Sequence, residues 1–265
     1  MSNPRLPVEL LDHVVDLLHD TEDALRNCCL VSKSWIPRTR KHLFAHIKIR
    51  YEDNLKSWKE AFPDPSTSPA HYAEALSIGC SHAVTAADAE PGGWITGFSR
   101  VVHFDVTGQG LFFGLSKIPL TSFHGFSPVV KSLHVDFDLL PSSRILNLAL
   151  SFPLLEDLTV IVHLNGGFAD RDDFDGLSAT DQLSNPPIFT GSLGLFIKRG
   201  MELIARRLLS LPGGIHFRKL ALGWFREEDL SLTVALVEGC SSTLESLHLT
   251  CGLGGTFIRC LRMHL

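Results

Sequence analysis

A short apolar template recurs along the chain and limits its fold more than any other feature. The pattern apolar-x-x-apolar-x-apolar is met in full at Val130/Leu133/Val135, Leu155/Leu158/Val160, Phe217/Leu220/Leu222 and Leu244/Leu247/Leu249. Weaker copies stand at Ala73/Leu76/Ile78, Ser99/Val102/Phe104 and Thr190/Leu193/Leu195. With the middle residue as marker, the copies fall at Leu76, Val102, Leu133, Leu158, Leu193, Leu220 and Leu247, separated by 26, 31, 25, 35, 27 and 27 residues. Five or six alternating residues make a short strand, and several intervals also hold a run of helical period. Residues 143–152 carry Ile145, Leu148, Ala149 and Phe152; 201–209 carry Met201, Ile204, Ala205, Leu208 and Leu209; 228–237 carry Leu230, Val234 and Val237. Pro153, Pro212 and Gly239 stop these helices where the chain must turn back. One such strand-turn-helix unit cannot bury its own apolar face, but stacked neighbours can. The expected class is α/β, with a curved parallel sheet over 73–265; an α/β sandwich fits the same alternation.

The first 49 residues follow another rule. In Pro7 to Leu18 the apolar residues Leu10, Leu11, Val14, Leu17 and Leu18 recur at helical spacing, with Glu9, Asp12, His13 and Asp16 on the other side. Thr21 is placed to N-cap a second helix over 22–30, whose face carries Leu25, Cys28 and Cys29. Pro37 breaks or kinks any continuous third helix. A unit of about 45 residues lies near the lower limit for a self-sufficient core, so its surplus apolar surface needs a partner or a neighbouring domain. Leu55, Trp58 and Phe62 suggest one short helix in a linker over 50–72, followed by a stiff turn-rich stretch from Pro63 to Pro69.

The order Leu6-Pro7-x-Glu9-Leu10-Leu11, then Val14, Leu17 and Leu18, then Cys29-Leu30-Val31-Ser32-Lys33-x-Trp35 and Leu43-Phe44, resembles the F-box. Ser32 stands where many members have Cys, and Pro37 sits inside the usual third helix. The resemblance implies an all-α module over 1–49 that docks on the Skp adaptor, and through it on a cullin. The residues it assigns to that contact are Leu6, Pro7, Glu9, Leu10, Leu11, Val14, Leu30, Val31 and Lys33, with Trp35 in the module's own core. The remainder resembles the degenerate leucine-rich repeats found behind F-boxes, notably in an expanded fungal family. That family's buried Asn is replaced by Thr107, Asp138, His163, Phe225 and Gly252, so the implied solenoid is irregular.

Composition narrows the function classes. Hydrophobic residues make up 45% of the 265 and charged residues 20%, which supports a sizeable core and excludes wholesale disorder. A net charge of -5 gives no basic footprint for nucleic acid or an anionic membrane. The carboxylates of the first helix do not suit a signal peptide, and no apolar run is long enough for a span. Cys28, Cys29, Cys80, Cys240, Cys251 and Cys260 are scattered, which suggests reduced thiols in cytoplasm or nucleus.

Candidate chemistry is sparse. Gly176 follows four aspartates, but with Gly176 as sixth residue of a calcium loop the first is Arg171 and the twelfth Gln182, so the leading Asp and closing Glu are missing. His42 and His46 have the one-turn spacing of zinc ligands, yet Leu43 follows the first and no third ligand presents itself. Cys80-Ser-His82 is a lone pair. Gly108-Gln-Gly110 and Gly252-Leu-Gly-Gly255 continue into no phosphate-binding motif, and no nucleophile elbow occurs. No metal or cofactor is expected.

The resemblance implies a non-enzymatic substrate adaptor of a Skp-cullin-F-box ubiquitin ligase. A stand-alone hydrolase on an α/β repeat-like scaffold competes with it, as does a Skp-bound protein with no degradative role. If the markers point inward, the outward residues of the sheet form the substrate surface. They are His103, Asp105, Ser132, His134, Asp136, Asp157, Thr159, Lys219, Ser246 and His248. Residues 165–187 are expected to form a long acidic surface loop. The C-terminal end should fray, or be covered by Phe257, Ile258 and Leu261 in a short helix.

Overall fold

The apolar template becomes one sheet. In a computed structural model, residues 7–49, 52–79, 93–108, 126, 128–137, 142–163, 187–197, 201–225, 229–253 and 256–264 are described. Nine strands follow one another in chain order: β1 (His46–Ile49), β2 (Ala75–Gly79), β3 (His103–Gly108), β4 (Ser132–Phe137), β5 (Asp157–Val162), β6 (Ser192–Ile197), β7 (Lys219–Phe225), β8 (Ser246–Leu253) and β9 (Thr256–His264). The first eight are parallel, and β9 runs antiparallel to β8. The class is α/β, and no strand is inserted out of sequence.

Alternation decides which face is buried. The register aligns Ile47, Leu76, Phe104, Leu133, Leu158, Leu193, Leu220 and Leu247 in one row across eight strands. None is more than 7% exposed. Val102 was the expected marker of its copy, but it lies just before β3 and is half-buried. The residue in register is Phe104, which makes Val101/Phe104/Val106 a full copy, each residue at most 1% exposed. The spacings around it are then 28 and 29 residues in place of 26 and 31. A further copy, Phe44/Ile47/Ile49, opens the sheet inside the segment expected to be all-helical.

Where an Asn ladder is missing, the backbone supplies one at the strand starts. The carbonyls of Ala45, Glu74, Val102, Lys131, Gly191 and Arg218 each accept two successive N–H groups from the next strand, at 2.7–3.3 Å. Glu156 continues the series with the Gly191 N–H at 3.1 Å. Units from β1 to β8 are thereby held at the same point on their neighbours.

Helices cover the buried face. After the helices of the N-terminal part come α5 (Ser142–Leu150), α6 (Met201–Leu209) and α7 (Leu230–Gly239), with α6 packed between the other two. Their inward residues are Ile145, Leu148 and Ala149, then Ile204, Ala205 and Leu208, then Leu236. Aromatic rings fill the intervening space: Phe104 lies 4.7 Å from Phe126 and 6.0 Å from Phe152, and Phe189 lies 5.2 Å from Phe217.

The N-terminal module comprises α1 (Val8–Leu17), α2 (Glu22–Val31), a 3-10 turn (Lys33–Trp35) and α3 (Ile36–Leu43). Pro37 lies in the first turn of α3, where its missing N–H costs nothing; it starts that helix after the 3-10 turn. Thr21 does precede α2, but its hydroxyl makes no cap; its carbonyl accepts the Leu25 N–H at 3.0 Å. Ser32 caps the 3-10 turn through the Ser34 N–H. Val15, Leu25, Cys28 and Thr39 are buried, whereas Trp35 is only half-buried. The linker helix α4 (Glu52–Ala61) buries Leu55 and sets the Trp58 ring 5.6 Å from that of Phe98.

The short helix expected as one cover for the C-terminal end is corrected: Phe257, Ile258 and Leu261 lie on β9. β9 pairs back on β8 as far as Leu253 with Thr256; in the sequence Gly254-Gly255 is a dipeptide favoured in hairpin connections. Leu6, Cys80, His82, Asp138, Gly176 and 165–186 fall outside the described residues. Among the residues searched, no helix is long and apolar enough to cross a membrane.

Candidate functional site

Two surfaces concern function. The first is an apolar edge on the helical module. Val15 takes the inward side of α1, and Leu25 and Cys28 that of α2, so the remaining apolar residues face out. Leu10, Val14 and Leu17 on α1 and Leu30 and Val31 at the end of α2 are all at least 46% exposed, with Leu30 reaching 86%. Pro7, Glu9 and Lys33 are also exposed, and Leu11 is half-buried. Leu17, 71% exposed, shares this side of α1 and was not among the expected contact residues, although its spacing of seven from Leu10 and three from Val14 was the available signal. Val8 is 55% exposed but lies on another side of the helix, on the side of the buried Val15.

A polar clasp holds this edge in shape. Asp16 near the end of α1 accepts Arg38 Nε at 2.6 Å and Arg38 Nη2, and meets His42 Nε2 at 2.8 Å, both from α3. The hydrogen bonds from Arg38, and then those from His42, hold the Asp16 carboxyl well below the usual carboxylate range. His42 is thus engaged, while His46 falls on β1. Because α3 ends at Leu43, the one-turn spacing expected of a zinc pair is not realised.

The second surface is the outer face of the sheet. The register arranges its outward residues in rows. One row contains His46, Ala75, His103, Ser132 and Asp157, then Ser192, Lys219 and Ser246. The next contains Lys48, Ser77, Asp105, His134, Thr159, Gly194, Ala221 and His248. A third contains Gly79, Thr107, Asp136, Ile161, Phe196, Gly223 and Thr250. All ten outward residues expected from alternation therefore share this face.

They are not equivalent. Asp157 Oδ1 accepts both the backbone N–H and the hydroxyl of Ser192 at 2.6 Å, and its carboxylate fills the place a Cβ on Gly191 would take. That carboxylate fastens the start of β6. Asp105 accepts the Ser77 hydroxyl at 2.8 Å, and Asp136 meets His163 Nε2 at 2.9 Å. Ser77, Asp105 and His134 stand side by side, but the carboxylate lies between hydroxyl and imidazole, so the histidine does not reach the serine as a base. Nε2 of His248 is enclosed and has no hydrogen-bond partner among the described residues. No group of three or more His, Cys, Asp or Glu suited to a metal occurs among the residues searched.

Sequence reasoning also passed over Ile161 and Phe196, which with Gly194, Ala221 and Gly223 bring apolar positions to the β5–β7 part of this face beside Asp157, Thr159 and Lys219. No family model matches the chain, and no curated protein matches it.

Proposed function

We propose that this chain is a substrate adaptor of a Skp-cullin-F-box ubiquitin ligase, in which the N-terminal module is an F-box and the sheet with its helices a degenerate leucine-rich-repeat array. The observation that carries the reading is the apolar edge. Five large apolar side chains, three along α1 and two at the end of α2, stand in water on a module whose own core contains few residues, a distribution that suits a permanent partner better than a free surface. Strands in unbroken chain order, joined by a repeated backbone ladder, suit stacked repeats better than a sandwich. The outer face is then the substrate surface. In this role the chain contributes proximity, raising the effective concentration of a bound protein near the ubiquitin-charged enzyme, which performs the chemistry.

Co-expression of the full chain with a Skp adaptor tests this directly. A stoichiometric complex that survives size exclusion is expected. A monodisperse, folded chain that elutes alone at micromolar concentration overturns the proposal.

A further inference from the structure

One row of the outer face changes chemistry between β4 and β5. On the β3–β4 side are Asp105 and Asp136, neither of which has a Lys or Arg partner among the described residues; their contacts are Ser77 and the imidazole of His163. In the row of Asp136 the β5–β7 positions are apolar, Ile161, Phe196 and Gly223, whereas the row of Asp105 continues through Thr159. Phe196 does not stand up from the sheet: its ring occupies the space beside Gly223, where an added Cβ would come within 2.5 Å of Phe196 Cδ1. Glycine inside a strand marks a place where something approaches the backbone closely, and here the approaching group is a ring lying along the sheet. Ile161 is paired with Phe196 on one side and with Asp136 on the other. A carboxylate and an apolar shelf thus occupy one row.

We infer that this row is the recognition site for a short segment of a protein partner in polyproline II conformation, carrying a Lys or Arg at one position and a Phe or other large apolar residue three positions later. The charge on the aspartate side selects the cation, and the shelf selects the apolar side chain. Spacing selects the conformation. Adjacent strands lie about 4.8 Å apart, so Asp136 on β4 and Phe196 on β6 are about 10 Å apart. In polyproline II, residues three apart project from the same side and are separated by about 9.3 Å. In a β-conformation peptide they project to opposite sides. The face of a sheet also offers side chains rather than free backbone groups, which suits a segment that makes no ladder of its own. The inference rests on the adaptor reading in taking the outer face as the substrate surface, and it names the substrate class.

The test uses the full chain and four fluorescein-labelled peptides in a common Pro/Ala frame: Arg-x-x-Phe, Glu-x-x-Phe, Arg-x-x-Ser and Arg-x-Phe. Fluorescence anisotropy is expected to show tightest binding by Arg-x-x-Phe, with each control weaker by about tenfold, the factor equivalent to about 1.4 kcal/mol. Asp136→Lys should reverse the preference in favour of Glu-x-x-Phe, and Phe196→Ala should abolish the advantage of Phe over Ser. Thermal melts verify that each variant is folded; should Asp136→Lys fail there, Asp136→Asn is expected to bring the Arg and Glu peptides within about twofold of each other. Equal binding of all four peptides, no binding up to about 1 mM, or an Arg preference that survives both Asp136 variants overturns the inference. Skp binding measured on the same protein separates the two readings: peptide selectivity without Skp binding sinks the adaptor but leaves the recognition site, and the converse does the opposite.

Discussion

At the Asp16 carboxylate, two side chains of α3 converge on the end of α1, and the charged form is the form they stabilise. A carboxyl held below its ordinary value of 3.8 contributes stability that is fully present above that pH and is lost as the pH falls through the depressed value. The group is about one-third exposed, so the contribution is modest, about 1 kcal/mol after screening. Asp16→Asn should lower the stability of the N-terminal module by that amount at pH 7 and flatten its loss of helical circular dichroism below pH 4. An unchanged acid midpoint would show that the clasp holds nothing. The core offers a sharper contrast. Phe104→Ala should cost about 3–5 kcal/mol in urea denaturation, since its ring is fully enclosed against Phe126 and Phe152. Val102→Ala, two residues away and half-buried, should cost about 1 kcal/mol or less. The sequence pointed to Val102 because Val101, Val102, Phe104 and Val106 fit the template in two registers, and only strand pairing separates them. The Asp16 clasp was not legible at all. Its partners lie 22 and 26 residues away, and helical spacing shows only that Asp16 faces away from the core.

Elements were more legible than residues. The marker positions lie in seven strands or directly before them, and the helix-period runs at 143–152, 201–209 and 228–237 correspond to α5, α6 and α7 within two or three residues at each end. The exceptions lie at the two edges of the sheet. At β1, four residues are too few for alternation to declare itself beside a helical pattern. At β9, the run Thr256–His264 fits a short strand and a short helix alike; the Gly254-Gly255 pair was the discriminating signal. Pairing with β9 removes β8 from the edge of the sheet. Amide exchange should therefore be as slow in β8 as in β5–β7, while in β9 slow and fast amides should alternate with the direction of each N–H. Truncation after Leu253 should bare the β8 edge, lower the thermal midpoint by several degrees and promote association of the chain. A truncated chain with unchanged midpoint and a monomeric profile would mean that β9 closes nothing.

Taken whole, the molecule distributes its apolar surface unevenly. The sheet and its helices bury one continuous core from Ile47 to Leu247, whereas the N-terminal module buries few residues and leaves Leu10, Val14, Leu17, Leu30 and Val31 in water. If that edge is the Skp-docking surface, folding and binding separate cleanly. Leu30 and Val31 are 86% and 69% exposed, so Leu30→Ala with Val31→Ala should leave the thermal midpoint within about a degree of the parent. Full burial of each side chain in a complex contributes roughly 1.5–3 kcal/mol. With partial burial and a remaining Cβ, the double variant should lose about 2–4 kcal/mol of association energy, about a 30-fold to 1000-fold weaker complex at about 1.4 kcal/mol per decade. Leu25→Ala acts from the opposite side: that residue is 1% exposed, so lost binding should come with a lower midpoint and lost helical signal. Calorimetry against a purified Skp adaptor, paired with a melt of each variant, reads both quantities. A double variant that stays folded and binds as tightly as the parent removes the apolar edge as the docking surface, and with it the observation on which the adaptor reading depends.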